Sequence, residues 1–99
     1  MPLAPETGIS ADPAELSIWP NPNDGSLVHV SLMQFDATVS TVGVDVTDLY
    51  GKLVSTRTIP VQDGTLKTTL AFEQDLAPGL YLVNLQAGDK RYTERLVIQ

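Results

Sequence analysis

The sequence predicts an all-β, immunoglobulin-like antiparallel β-sandwich of about seven strands, and three observations predict it. Apolar residues recur at every second position in short runs, and no window shows the i, i+3, i+4, i+7 pattern of an amphipathic helix. Compact turn sequences separate the runs: Asn-Asp-Gly at 23–25, Tyr-Gly at 50–51, Asp-Gly at 63–64, Pro-Gly at 78–79 and Gly-Asp at 88–89. The 99-residue length fits one domain, and such a chain buries roughly 60–65% of its unfolded surface, enough for a two-layer core. The Cys–Trp–Cys signature of true immunoglobulin domains is missing. A small barrel is the alternative way to close the same strands.

Residues 1–14, "MPLAPETGISADPA", hold three prolines and a glycine without apolar periodicity. They read as a linker, extended and open to proteases. A domain that opens on a linker reads as a piece of a longer protein, and residues 15–99 read as the folded unit. "ELSIW" sets Leu16 and Ile18 against Ser17 and Trp19, and "LVHVSLM" sets Val28, Val30 and Leu32 against His29 and Ser31. "VGVDVTDLY" turns Val42, Val44 and Val46 inward, with Gly43, Asp45 and Thr47 outward. "KLVSTRTI" follows Gly51, and "TLKTTLAF" carries Leu66, Leu70 and Phe72 in phase. "GLYLVNLQA" is apolar at nearly every position, as a central strand covered on both faces would be. "RYTERLVI" puts Tyr92, Leu96 and Ile98 on one side and Arg91, Thr93 and Arg95 on the other.

Composition narrows function. The hydrophobic share of 42% and charged share of 18% are those of a globular chain. The absence of cysteine removes disulfides, thiolate metal sites and cysteine nucleophiles together. Net charge is −6, and it is unevenly spread. Seven acids and no Lys or Arg fall in residues 1–51, whereas five acids meet six bases in residues 52–99. An acidic chain repels phosphate backbones, which argues against nucleic acid as a partner. No apolar run approaches the ~18–20 residues of a membrane helix, so membrane insertion is not expected. "MPLAPETG" lacks the basic and apolar regions of a signal peptide.

Catalytic equipment is sparse. The single histidine, His29, is out of phase with Val28 and Val30 and reads as a half-exposed sheet residue. Asp45 and Asp48, three apart on a strand, point to opposite faces, which is wrong for an acid–base pair. Asn21, Asn23 and Asp24 could offer oxygens to calcium, but the spacing lacks a bidentate glutamate and a full ligand series, so a plain turn is preferred. Tyr81 and Tyr92, on neighbouring strands, could stack a sugar; a core or cross-strand pair is the commoner use. No enzyme, cofactor or metal is expected.

The turns gain meaning from their order. "LSIWPNPNDG", "VDVTDLYGKLV" and "DLAPGLYLVNLQAGDKRYTERLVIQ" follow one another, and the series resembles the type A C-terminal sorting domain of the type IX (Por) secretion system of Bacteroidetes. That family shows Pro-Asn-Pro after the first strand, an Asp-x-x-Gly-(Lys/Arg) turn mid-chain, Leu-x-x-Gly-x-Tyr before the penultimate strand, and a basic last strand. Here the motifs fall on Pro20, Asn21 and Pro22; on Asp48, Gly51 and Lys52; on Leu76, Gly79 and Tyr81; and on Lys90, Arg91 and Arg95. Gln99 stands where many members end in Lys or Arg. The motifs have physical grounds too. Proline at 20 and 22 denies the ladder two donors, so the chain must leave the sheet there. Tyr81 can bury its ring and anchor its hydroxyl, as a sandwich-corner tyrosine does.

The resemblance implies a secretion signal that folds in the periplasm and carries an attached N-terminal cargo through the outer membrane. Its implied partners are the type IX translocon, shuttle proteins and a cell-surface sortase. The sortase would cut in or just before residues 1–14 and often join the cargo to an anionic lipopolysaccharide. The last strand, with its basic side chains and an expected unpaired edge, is the implied contact surface, open to β-augmentation. Lys90 and Arg91 are open to a simpler reading as edge protection. The alternative for the whole chain is a non-catalytic immunoglobulin/fibronectin-like accessory or carbohydrate-binding module of a surface protein.

Overall fold

A computed structural model describes residues 12–99. Seven strands follow one another: β1 (Glu15–Trp19), β2 (Leu27–Met33), β3 (Thr41–Asp48), β4 (Leu53–Pro60), β5 (Thr65–Ala71), β6 (Gly79–Ala87) and β7 (Lys90–Ile98). Each coincides with one of the alternating runs to within two residues at either end. They form two antiparallel sheets, ordered β1-β2-β5 and β4-β3-β6-β7. β4 therefore stays with its hairpin partner β3, and the sandwich is three strands against four. Constant-type immunoglobulin domains divide their seven the other way, with the fourth strand on the first sheet.

The alternation decides what is buried. Val28, Val30 and Leu32 of β2 face Val42, Val44 and Val46 of β3 across the interior, with Leu66 and Leu70 of β5 beside them. Val83, Leu85, Leu96 and Ile98 complete the centre from β6 and β7. At about 25 cal/mol per Å² of apolar area these positions dominate stability. β6 corrects the sequence reading. It is central within its sheet, but only its odd-numbered residues meet the core; Leu80 and Leu82 point outward and are half-buried. No described strand forms a third layer over that face.

Strand polarity gathers one set of connections at one end of the sandwich. There β3 ends at Asp48 opposite Tyr81, β6 begins at Gly79 opposite Ile98, and β2 begins at Leu27 opposite Ala71, the end of β5. The 20–26, 49–52 and 72–78 loops and Gln99 all lie at this end. The Gly88–Asp89 turn and the Asp63–Gly64 turn lie at the other.

Candidate functional site

β7 is the edge of the four-stranded sheet, and the sequence leaves its outer edge unpaired. The structure closes half of it. The Asn21 side chain acts as a surrogate peptide: its Nδ2 donates to the Arg95 carbonyl at 2.7 Å, and its Oδ1 accepts from Val97 N at 3.0 Å. Two residues on, Asn23 N donates to the Val97 carbonyl at 2.8 Å and Gln99 N donates to the Asn23 carbonyl at 2.9 Å, a short parallel bridge. Among the described residues none pairs the Arg91–Thr93 portion of that edge, so the expected open edge is confined to the half away from Gln99. Pro20 and Pro22, both after cis peptide bonds, flank Asn21 and contribute no donors that would compete for these acceptors.

Asn23 is 4% exposed and spends its whole amide inside the loop. Its Nδ2 donates to the carbonyls of Pro20 (3.0 Å) and Leu27 (2.8 Å), while its Oδ1 accepts from Gly25 N (2.7 Å). Gly25, at φ +91°, then receives Leu76 N on its carbonyl at 3.0 Å. The loop that carries the first motif is thereby bonded to Leu76 of the third, and Leu76 packs its side chain against the core. Tyr81 also packs on the core and donates its hydroxyl to the Ala77 carbonyl at 2.8 Å, pinning the loop that precedes β6.

The middle motif is a self-contained turn. Asp48 Oδ1 accepts from Tyr50 N and Lys52 N, each at 2.9 Å, and its backbone bonds Lys52 and Gly51. Aspartate suits the position because one carboxylate satisfies two amides that the reversal would leave bare. The turn thrusts Tyr50 outward, 96% exposed, beside exposed Leu49 and Lys52.

Nine of the motif residues thus share one end: Pro20, Asn21, Pro22, Asp48, Gly51, Lys52, Leu76, Gly79 and Tyr81. Arg95 lies on β7 just below them. Lys90 and Arg91 do not join them; they start β7, roughly 25 Å away along the strand at ~3.3 Å per residue. There Lys90 Nζ approaches the Asp12 carboxylate at 4.0 Å. The Asp12 carboxylate also accepts from Ala14 N at 3.0 Å and from the Tyr92 hydroxyl at 2.9 Å. The last described residues before β1 are therefore latched onto the start of β7. The remainder of the expected linker, residues 1–11, lies outside the described residues.

The latch titrates from both sides. Hydrogen bonds, first from Ala14 N and then from Tyr92, hold the Asp12 carboxyl below its ordinary 3.8. Its contribution is full above that value and fades as pH falls through the depressed one. Partial burial, then the bond to Asp12, pushes the Tyr92 hydroxyl above 10.0, so its contribution is full below 10.0 and fades as pH rises through the elevated value. Asp12→Asn is expected to bring the Tyr92 transition down toward 10.0 in an ultraviolet titration of the tyrosines. An unchanged curve would mean that Asp12 and Tyr92 are not bonded in solution.

Other candidates resolve into structural uses. His29 is half-buried on the outer face of β2, its Nδ1 2.8 Å from Thr69 Oγ1 and its ring 5.5 Å from that of exposed Trp19. The Asp45 carboxylate accepts from the Thr56 hydroxyl, away from the Asp48 turn. Tyr81 and Tyr92 both face the core and lie four register positions apart, so they form no stacking platform. The amide oxygens of Asn21 and Asn23 and one Asp24 oxygen already hold backbone donors, which leaves a calcium ion little to bind. The important residues missing from the motif reading are Asn23 and Gly25. Their only signal was the density of turn formers after Pro22.

What this end displays is a shaped surface held by turn chemistry, the equipment of a recognition module. The secretion system C-terminal sorting domain family matches residues 17–99, and the chain belongs to it. It is accordingly a C-terminal sorting signal of type IX secretion, the mark of a protein bound for the cell surface or the exterior, with its cargo on the N-terminal side. No curated protein matches the chain.

Proposed function

We propose that the domain directs an attached cargo across the outer membrane through the type IX translocon, after folding in the periplasm, and is then removed by a cell-surface sortase. The observation that carries this reading is the convergence of three ordered motifs and the end of β7 on one face-forming end of a domain in the sorting family. The cut falls within residues 1–14 or just upstream of them. The basic side chains of β7, Arg95 foremost, contact the machinery, while Lys90 and Arg91 flank the latch end.

The test is export of a periplasmic reporter fused ahead of residues 1–99 in a type IX-competent host. The reporter is expected outside the cell, separated from the domain, and removal of Arg95–Gln99 is expected to strand it in the periplasm. Retention of the intact fusion, or indifference to the truncation, would overturn the proposal.

A further inference from the structure

The sheet β4-β3-β6-β7 has a core face and an outer face, and the outer face is not uniform. Away from the motif end it carries what a solvated sheet needs. Asn84 Oδ1 accepts from the Thr93 hydroxyl at 2.8 Å, Asp45 accepts from Thr56 at 2.6 Å, and Gln86 stands beside Arg91. Toward the motif end polarity gives way. Leu80 pairs directly with Val97, Leu82 lies between Thr47 and Arg95, and Leu53 pairs with Thr47 on the far side. Directly opposed residues on one face stand about 4.5–5.5 Å apart, so Leu80, Leu82 and Val97 adjoin one another, and Thr47, opposed to both Leu82 and Leu53, links them to Leu53. Val97 is 37% and Leu53 53% exposed, with Leu80 and Leu82 half-buried between them.

β propensity alone does not account for this. Thr and Tyr serve a half-solvated strand as well as Leu does, and the same strands use Asn84, Gln86 and Thr93 a few residues away. A strand apolar on both faces belongs to a sheet covered on both sides, yet the described domain covers only one. Edge-on pairing cannot account for it either, because Asn21 and Asn23 already occupy the β7 edge beside the patch.

Charge identifies the occupant. In a chain of net charge −6, Arg91 and Arg95 both stand on this outer face. Among the described residues no carboxylate forms an ion pair with either of them. We propose that Leu53, Leu80, Leu82 and Val97, bordered by Arg95, are a docking surface taken face-on by a protein presenting apolar side chains beside carboxylates. An anionic membrane is disfavoured, since two arginines supply only about 1 kcal/mol each near such a surface and the net charge of the chain opposes approach. The proposal rests on the sorting reading and specifies the surface that the export machinery reads.

The test uses the same reporter fused to the full chain, with Leu80→Thr/Leu82→Thr/Val97→Thr combined, and with Arg95→Glu alone. Lys67→Glu, on the outer face of the other sheet, is the control. Export of the triple variant and of Arg95→Glu is expected to fall about ten-fold or more, the loss typical of a central contact cluster, while the control matches the parent. Unfolding midpoints of the purified domains establish that the variants fold. Should the triple variant not fold, exposed Leu53→Thr and Arg95→Glu carry the test. Normal export of folded patch variants would overturn the docking surface and leave the sorting reading standing; failure of the unmutated fusion would overturn the sorting reading itself. Patch-dependent sedimentation of the domain with vesicles of anionic lipid would overturn the protein occupant in favour of a membrane.

Discussion

Replacing Asn23 with alanine is expected to destabilise the domain by about 3 kcal/mol. The side chain is 4% exposed and makes three hydrogen bonds, to the carbonyls of Pro20 and Leu27 and from Gly25 N. Deletion leaves two carbonyls and an amide without their partner inside the loop, and a buried unsatisfied group costs about 1–3 kcal/mol. For a domain of this size the loss lowers the melting temperature by roughly 15 °C. Asn21→Ala is the proper comparison. It also removes two hydrogen bonds, but at an exposed site where water substitutes, so a cost of about 1 kcal/mol is expected. Asn23→Asp separates geometry from chemistry further. It keeps the acceptor for Gly25 N but aims a second oxygen at two carbonyls, so its cost equals or exceeds that of alanine. Urea unfolding of the three variants decides the matter. A cost for Asn23→Ala no larger than for Asn21→Ala would show that the loop does not depend on its buried amide.

Local pattern made most of the fold legible. Strict alternation in "VGVDVTDLY" and "LVHVSLM" assigns Val42, Val44, Val46, Val28, Val30 and Leu32 a face, and the structure buries them. Turn chemistry is local too, so the Asp48 reversal follows from the residues that form it. What stayed hidden depends on partners distant in sequence. Nothing near Asn21 announces that its amide binds Val97, 76 positions later, and nothing near Arg95 announces that its edge is filled. β6 misled for the converse reason. An apolar run shows that both faces are apolar, not that the domain covers both. Tyr81 and Tyr92 looked alike as aromatics on adjacent strands, but register places them four positions apart, where each fixes a different connection. The motif series survived these errors because a family pattern records the outcome of such distant contacts without their geometry.

Gly25 and Gly51 both adopt positive φ, +91° and +85°, yet the costs of their replacement by alanine are expected to differ by about 2–3 kcal/mol. At Gly51 a Cβ meets nothing within 4 Å, so Gly51→Ala pays only for the left-handed backbone, about 1 kcal/mol. At Gly25 the same atom falls 2.7 Å from the Leu76 carbonyl oxygen and 2.9 Å from Leu76 N, with Ile98 Cγ2 at 3.3 Å. Both closest neighbours are backbone, so no rotamer change relieves the overlap. The loop must withdraw from Leu76, which breaks the Leu76 N–Gly25 carbonyl bond and loosens the packing of Ile98. Together these raise the expected cost of Gly25→Ala to about 3–4 kcal/mol, measured as a lower urea midpoint at unchanged slope. The contrast isolates close approach from backbone strain, since strain is common to both sites. Equal costs, within about 0.5 kcal/mol, would mean that the seam between the 20–26 and 72–78 loops is soft. A large difference would mean that the motif end behaves as one rigid piece. A rigid end suits the docking surface beside it, because Asn21 and Asn23 bond the backbone of Val97 within that surface.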